Sequence, residues 1–293
     1  MSTQLALDFD QNHRAIAPFY QQLLKWVGNK QRFAHEIIQY FPPQFNVYYE
    51  PFIGSGAVLG TLQPHAAIAS DTLAPLIALW QAVQHMPDTV KQWYRERWVL
   101  GATIGRGAAY EQIKQAYNAA PNAADLLYLS RASYGGVMRF RQDGYMSTPC
   151  GIHTPIQPER FALRVDLWHQ RIASTTFVHG DFADVLTTAQ AGDLVYCDPP
   201  YSDTQSILYG AQAFTLARLI DVIAACNDRG VFVAMSLDGT KKTGKKRLDF
   251  VFPEGLFVRE VEVHCGRSML RRFQMEGQSL EAEVVTDRLL LTY

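Results

Sequence analysis

Four consecutive residues, Asp198-Pro199-Pro200-Tyr201, place the strongest single constraint on how this chain folds. They follow an apolar run at 194–197, which has the length and composition of a short buried β-strand. Two consecutive prolines cannot continue a strand ladder, so the chain must leave the sheet at this point. The sequence therefore predicts a carboxylate, two rigid carbonyls and an aromatic ring at the carboxyl end of a strand, where open α/β sheets bind ligands.

A glycine turn between two further strands predicts a nucleoside-binding unit nearer the N-terminus. The strand at 47–50 leads into the turn at 51–56, which contains Gly-Ser-Gly, and the next strand, at 67–70, ends in Asp71. Glycines let a ligand approach the backbone, and a carboxylate after the second strand suits ribose hydroxyls. Both Asp71 and Asp181, which follows a third predicted strand, also suit helix N-caps.

A loop with a lysine and an indole precedes this unit. It covers residues 25–30, includes Trp26 and Lys30, and leads into a predicted helix that Pro42 ends. We expect Lys30 and the helix N-terminus to face an anionic group. Trp26 fits a core position equally well.

The order of strands and helices predicts an α/β domain with an insertion. Helices are predicted across 73–133 and at 158–171, and an Asp-Gly turn within 134–157 predicts a hairpin or long loop. Two final strands, at 256–263 and 288–293, predict an antiparallel edge.

Composition narrows the possible functions. Lys and Arg number 27 and Asp and Glu 28, so any DNA contact must come from local basic patches. The four cysteines are far apart and form no Cys-x-x-Cys pair, so we expect no metal site and reduced thiols. No apolar run is long enough for a membrane span and the first ten residues do not resemble a signal peptide, so we expect a soluble, cytoplasmic protein.

The order of these motifs resembles that of the Dam-like (D12 class, α group) N6-adenine-specific DNA methyltransferases. The matching stretches are 25–30, 50–56, the central insertion and 198–201. The hairpin is also similar to the family's DNA-reading hairpin, through Tyr134, Gly136, Arg139, Gly144, Pro149 and Gly151. The resemblance implies a Rossmann-like class I methyltransferase domain formed by 1–85 and 172–293, with a target-recognition domain at 86–171.

The resemblance further implies S-adenosylmethionine as cofactor and double-stranded DNA as substrate. The catalytic residues would be Asp198, Pro199, Pro200 and Tyr201. The cofactor-binding residues would be Trp26, Lys30, Glu50, Phe52, Gly54, Gly56, Asp71, Asp181, Phe182 and Asp198. In the family, residues of the Lys30 type contact the methionine part of the cofactor, those of the Asp71 type the ribose, and the Asp181-Phe182 pair the adenine.

DNA contacts are expected from the hairpin and from basic loops. Arginine reads guanine bidentately, so Arg139 and Arg141 are candidates for base contact, and Tyr134 for filling the gap left by a flipped base. The candidates for phosphate contact are Lys241, Lys242, Lys245, Lys246, Arg247, Arg267, Arg271 and Arg272.

The chemistry explains why these residue types are needed. The lone pair of adenine N6 is delocalised into the ring, and acceptors outside the base plane turn it toward an electrophile. The Asp198 carboxylate and the Pro199 carbonyl are such acceptors, and the proline pair fixes their direction. A base inside a duplex must be flipped out to reach them, and Tyr201 provides a ring on which it can stack.

Several alternatives stay open at this stage. N4-cytosine enzymes usually carry serine at the position of Asp198 and amide methyltransferases asparagine, and a catalytically silent DNA-binding regulator is a rival of another class. Asn29, Gly135 and His153 depart from the pattern of GATC-reading relatives, so that target is not implied. We expect a monomer, acting with a cognate restriction endonuclease or as a solitary or phage enzyme.

Overall fold

A mixed β-sheet with helices on both faces forms the centre of the molecule. The computed structural model describes residues 16–200, 214–237, 252–266 and 285–293. In these ranges the sheet has seven strands, in the order β3-β2-β1-β4-β5-β7-β6. The strands are β1 (Tyr48–Glu50), β2 (Ala67–Asp71), β3 (Thr175–His179), β4 (Leu194–Cys197), β5 (Phe232–Leu237), β6 (Arg259–Gly266) and β7 (Val285–Leu291).

The helices connect these strands and fill the middle of the chain. They are α1 (Ala34–Ile38), α2 (Ala57–Leu62), α3 (Ala74–His85), α4 (Pro87–Ile104), α5 (Arg106–Ala119), α6 (Ala123–Ala132), α7 (Pro158–Arg171), α8 (Phe182–Leu186) and α9 (Leu216–Asp228). Helices α2 and α7 begin and end where the sequence predicts, whereas α1 is shorter than the predicted helix because residues 30–33 form turns. No helix among the described residues is long and apolar enough to cross a membrane.

Five strands are parallel and two form an antiparallel edge. β3, β2, β1, β4 and β5 run in one direction, and β7 pairs antiparallel with both β5 and β6. All four residues of β4 are buried, as a strand covered by helices on both faces requires. The predicted α/β class and its antiparallel edge are therefore confirmed.

The strand order reverses beside β1. β1 pairs with β2 on one side and with β4 on the other, although more than a hundred residues separate β2 from β4. Loops leaving β1 and β4 therefore diverge to opposite sides and open a crevice at their carboxyl ends. This topological switch point is where open α/β sheets bind their ligands.

Aromatic side chains join the helical middle of the chain to the sheet. The indole of Trp168, on α7, lies 5.0 Å from that of Trp80 on α3, and Trp80 in turn stacks on Phe177 of β3 at 6.1 Å. Gly60 on α2 lies directly under Trp168, because a Cβ built there would be 2.5 Å from its ring. Helices α3 and α7 thus share one hydrophobic core with the sheet.

Candidate active site

A cavity of about 210 Å³ lies at the carboxyl ends of the first four strands. Its wall includes most of the predicted site residues, namely Trp26, Lys30, Glu50, Phe52, Gly54, Asp71, Asp181, Phe182, Asp198, Pro199 and Pro200. The strand-end rule explains this convergence, since β1, β2, β3 and β4 each deliver one or more of these residues to the same edge.

The glycine turn is held between two indoles. Gly54 has a φ of 43°, and a Cβ built there would lie 2.9 Å from Nε1 of Trp26. The indole N–H of Trp80 donates to the Gly54 carbonyl at 3.1 Å. Gly56, with a φ of 63°, begins α2 and faces Trp80 instead of the cavity. Gly54 therefore lets the Trp26 indole pack directly against the backbone of the turn, and Gly56 serves the turn itself.

Asp71 closes this turn from β2. One carboxylate oxygen accepts from the Gly54 N–H at 3.3 Å and the other from the Leu73 N–H at 3.0 Å. Burial raises the pKa of Asp71, and these backbone donors oppose the rise. The carboxylate is thus fixed at the cavity wall by backbone groups on either side of it.

Glu50, at the end of β1, is tied to the protein through one carboxylate oxygen. Its Oε2 accepts from the Tyr48 hydroxyl at 2.7 Å and from the Leu59 N–H at 2.9 Å. Burial raises the pKa of Glu50 to about 8, against the effect of these two hydrogen bonds. The residue predicted to bind cofactor therefore also anchors α2 to the sheet.

Asp181 caps a helix and binds an arginine that the sequence did not single out. Its side chain accepts from the Ala183 N–H at 2.8 Å, and the guanidinium of Arg218, on α9, contacts both carboxylate oxygens at 2.8 and 2.9 Å. The same guanidinium lies 5.0 Å from the Phe182 ring. Asp181 is therefore the N-cap of α8, as the sequence suggested. Its second partner, Arg218, lies 37 residues further along the chain.

Three phenylalanine rings meet next to Asp181. Phe52 lies 5.3 Å from Phe182 and 5.8 Å from Phe214, which meets it at 87°. All three rings line the cavity, and a planar base fits such an apolar, aromatic wall. Phe214 was missed at the sequence level, although its place at the start of an amphipathic helix after the catalytic motif was a usable signal.

The catalytic motif meets the N-terminal loop through an ion pair. The Lys30 ammonium lies 2.9 Å from Oδ1 of Asp198 and also donates to the Gly28 carbonyl at 3.1 Å. Lys30 is 5% exposed, so this contact is sheltered from water. A second carboxylate, that of Asp287 on β7, lies 3.6 Å from the same ammonium. Asp287 was not predicted, because it precedes the strand predicted at 288–293 and its place depends on the register of β7.

The predicted hairpin is present and carries its polar residues outward. Phe140 and Met146 form an antiparallel bridge, and the Arg141 N–H donates to the Tyr145 carbonyl at 2.9 Å. Tyr134, Arg139 and Arg141 are all exposed and lie outside the cavity wall. The Arg141 guanidinium lies 4.8 Å from the Tyr145 ring.

The base of the hairpin touches the N-terminal loop. Gly136 has a φ of 67°, and a Cβ built on it would be 2.8 Å from Cβ of Lys25. The candidate DNA-reading element and the loop that carries Lys30 are therefore in direct contact.

Several predicted residues lie outside the described part of the chain. They are Tyr201, Lys241, Lys242, Lys245, Lys246, Arg247, Arg267, Arg271 and Arg272.

A Rossmann-like sheet with a nucleoside-type cavity and Asp-Pro-Pro at its switch point defines a class I, S-adenosylmethionine-dependent methyltransferase. The model of the D12 class N6 adenine-specific DNA methyltransferases matches residues 26–254. The chain belongs to this family, which makes it an adenine-specific DNA methyltransferase and implies S-adenosylmethionine as its methyl donor.

Individual relatives agree with the family match. A retron Ec67 DNA adenine methylase of Escherichia coli is 31% identical over 63% of this chain and 65% of its own length. The DNA adenine methylase of Escherichia coli K12 is 28% identical over 75% of this chain and 81% of its own. The type II methyltransferase M1.LlaDCHI of Lactococcus lactis is 25% identical over 72% and 79%, respectively.

Among solved structures, an rRNA methyltransferase, aviRa from Streptomyces viridochromogenes, aligns over 88% of this chain and 83% of its own length. Its sequence identity is 12% and the TM-score is 0.37, so this likeness has no bearing on the substrate.

Proposed function

We propose that this chain methylates N6 of an adenine flipped out of duplex DNA, with Asp198 and the Pro199 carbonyl as the acceptors that hold the amine. The observation that carries the proposal is that Asp198, Pro199 and Pro200 line the same cavity as the glycine turn and the Asp181-Phe182 pair. The acceptors for the target base and the candidate cofactor site thus share one space.

The cavity residues suit S-adenosylmethionine. Asp71 would accept from ribose hydroxyls, and the adenine would lie against the rings of Phe52, Phe182 and Phe214, which line the cavity. The Asp181 carboxylate would accept a hydrogen bond from the exocyclic amine of the cofactor's adenine while it stays in contact with the Arg218 guanidinium. Gly54 and the Trp26 indole packed against it both line this cavity. Bound there, the cofactor supplies an electrophilic methyl group on its sulfonium.

Asp198 and Pro199 act on the nucleophile. The N6 hydrogens donate to the carboxylate and to the carbonyl, which draws the lone pair out of conjugation and toward the methyl group. The rigid Pro199-Pro200 pair keeps both acceptors aimed without reorganisation during the reaction. The proton leaves after the new N–C bond has formed, so Asp198 need not be a strong base.

We further propose that 86–171 is the target-recognition domain. Tyr134, Arg139 and Arg141 are exposed together on one hairpin, as direct readout in the major groove requires. In this proposal Tyr134 fills the gap left by the flipped adenine and Tyr201 provides its stacking platform. Helix α7 shares a core with the sheet, which would hold the hairpin in a fixed position relative to the cavity.

The biological setting is also a proposal. We propose either a pairing with a cognate restriction endonuclease, for which the type II name of one relative is support, or a solitary or phage enzyme. A monomer that acts on DNA in the cytoplasm is the simplest arrangement for either role.

The test is methyl transfer to duplex DNA followed by identification of the product. The chain is incubated with tritiated cofactor and duplexes of varied sequence, and the DNA is digested to nucleosides. N6-methyladenine is the expected product. N4-methylcytosine would overturn the adenine assignment, and DNA binding without incorporation would indicate a silent regulator.

Two variants test the role of Asp198. Asp198→Asn should lower the rate roughly 10²- to 10³-fold or more while cofactor affinity stays within about threefold. Asp184→Asn makes the same change on an exposed carboxylate of α8 and should leave the rate unchanged. Wild-type turnover by Asp198→Asn would refute the assigned role.

A further inference from the structure

Asp287 reaches the catalytic edge from a strand outside the family match. The match ends at residue 254, whereas Asp287 lies on β7, next to the antiparallel edge. Because β7 runs opposite to β5, its first residues lie beside the carboxyl end of β5, and Arg288 pairs there with Leu237. Asp287 is therefore delivered to the edge that carries Asp198.

The direction of the Asp287 side chain follows from strand alternation. The neighbouring Arg288 points to the opposite face of the sheet, where its guanidinium contacts Glu260 at 2.6 and 2.8 Å. Asp287 points inward, and its carboxylate is 13% exposed. Burial is the main cause of the raised pKa of the nearby Tyr196 hydroxyl, and the charges of Asp198 and, more weakly, of Asp287 raise that pKa further.

The Lys30 ammonium thus lies close to the carboxylates of both Asp198 and Asp287. Lys30 lies 2.9 Å from Asp198 and 3.6 Å from Asp287, and all three side chains are largely shielded from solvent. An ammonium on Oδ1 competes with any other donor for that oxygen. The carboxylate of Asp287 draws the ammonium in a second direction, which reduces its hold on Asp198.

We propose that Asp287 is a positioning residue for methyl transfer, which shares Lys30 with Asp198 so that the Asp198 carboxylate remains available to the target amine. This inference rests on the proposed role of Asp198. When the amine arrives, Lys30 shifts toward Asp287, and Asp198 exchanges an ammonium partner for the N6 hydrogens. No new bond to substrate is formed by Asp287 itself.

The test measures kcat and cofactor affinity separately in wild type and Asp287→Asn. The amide keeps the size of the side chain and removes its charge, so Lys30 should turn fully toward Asp198. We expect kcat to fall about 10- to 100-fold, the scale of a misplaced catalytic group, and the cofactor Kd to change less than about threefold. Asp287→Glu, which restores the charge, should recover most of the lost rate.

A double-mutant cycle with Lys30 separates positioning from a general structural effect. In a Lys30→Gln background, Asp287→Asn should cause no further loss of kcat, because its effect passes through Lys30. The matched control is Glu260→Gln, which neutralises an acid on the adjacent strand and should leave kcat unchanged. If Asp287→Asn is recovered in low yield, Asp287→Ser also removes the charge with less bulk.

Three results would overturn the inference: wild-type kcat in the folded neutral variants, an equal loss in the Lys30→Gln background, or cofactor affinity falling in step with kcat. Failure of the proposed function itself would appear differently, as absence of N6-methyladenine with the wild-type chain.

Discussion

Replacement of Glu50 by glutamine should change how the stability of the protein depends on pH. Burial raises the pKa of Glu50 from its ordinary value of 4.5 to about 8. The folded protein therefore binds this proton more tightly than the unfolded chain does. The stability that this bound proton contributes is complete below pH 4.5 and is lost as the pH rises through about 8.

The size of the effect follows from proton linkage. A difference of one pKa unit between the folded and unfolded states corresponds to about 1.4 kcal/mol. With the folded and unfolded pKa values of Glu50, the free energy of unfolding of the wild type should fall by about 2–3 kcal/mol between pH 6 and pH 9. Glutamine resembles the protonated acid, since its oxygen can accept from the Tyr48 hydroxyl and the Leu59 N–H as Oε2 does. Glu50→Gln should not undergo this loss.

The assay is urea unfolding of both proteins at several pH values between 6 and 9, at constant ionic strength. Between pH 6 and pH 9, the free energy of unfolding of the wild type should fall by about 2–3 kcal/mol relative to that of Glu50→Gln. Glu159→Gln, which changes an exposed acid on α7, should follow the wild-type curve. Parallel curves for wild type and Glu50→Gln would show that Glu50 does not retain its proton in the folded state.

Two glycine substitutions test the packing around the cavity. Gly54→Ala places a Cβ 2.9 Å from the Trp26 indole at a φ of 43°, so the indole must move within the cavity wall. Cofactor affinity measured by calorimetry should fall by about tenfold or more. Unchanged affinity would contradict a role for this packing in cofactor binding. Gly60→Ala gains about 1 kcal/mol of helix propensity, but its Cβ would lie 2.5 Å from the Trp168 ring. Because such overpacking costs about 1–3 kcal/mol, the free energy of unfolding should fall. Gly107→Ala, on α5 with no atom within 4 Å of the added Cβ, is the control for both: it should leave cofactor affinity unchanged and raise stability by up to about 1 kcal/mol.

The parts of the site that lie at strand ends were predictable from the sequence. The apolar run of β4 and the prolines after it place Asp198 at a sheet edge, and the glycine turn after β1 places Gly54 at the same edge. These deductions need only local patterns and the rule that parallel strands end together. That is why residues more than a hundred positions apart were expected at one edge, and the structure brings them to one cavity.

Residues that depend on the exact register of distant elements were not predictable. Arg218 reaches Asp181 because a particular turn of α9 lies against α8, and Asp287 reaches Lys30 because of the antiparallel register of β7. A shift of one residue in β7 would place Arg288 toward the catalytic edge instead of Asp287. Sequence periodicity cannot fix such a register, since the pairing partners of β7 are separated from it by long stretches of chain.

The assembled edge has a charge distribution that the neutral composition conceals. Five strands deliver an acidic side chain to it: Glu50, which retains its proton at neutral pH, and the carboxylates of Asp71, Asp181, Asp198 and Asp287. Among the described residues, Lys30 and Arg218 are the cations that contact these acids.

Such an acidic edge favours a ligand that carries positive charge, as a sulfonium does, and repels phosphates. In the proposed function, the phosphates of DNA would therefore stay outside the cavity, beside the exposed Arg139 and Arg141, and only an uncharged base would enter. If Arg139 and Arg141 read DNA as proposed, this separation of charge requires the target adenine to leave the duplex before Asp198 can reach it.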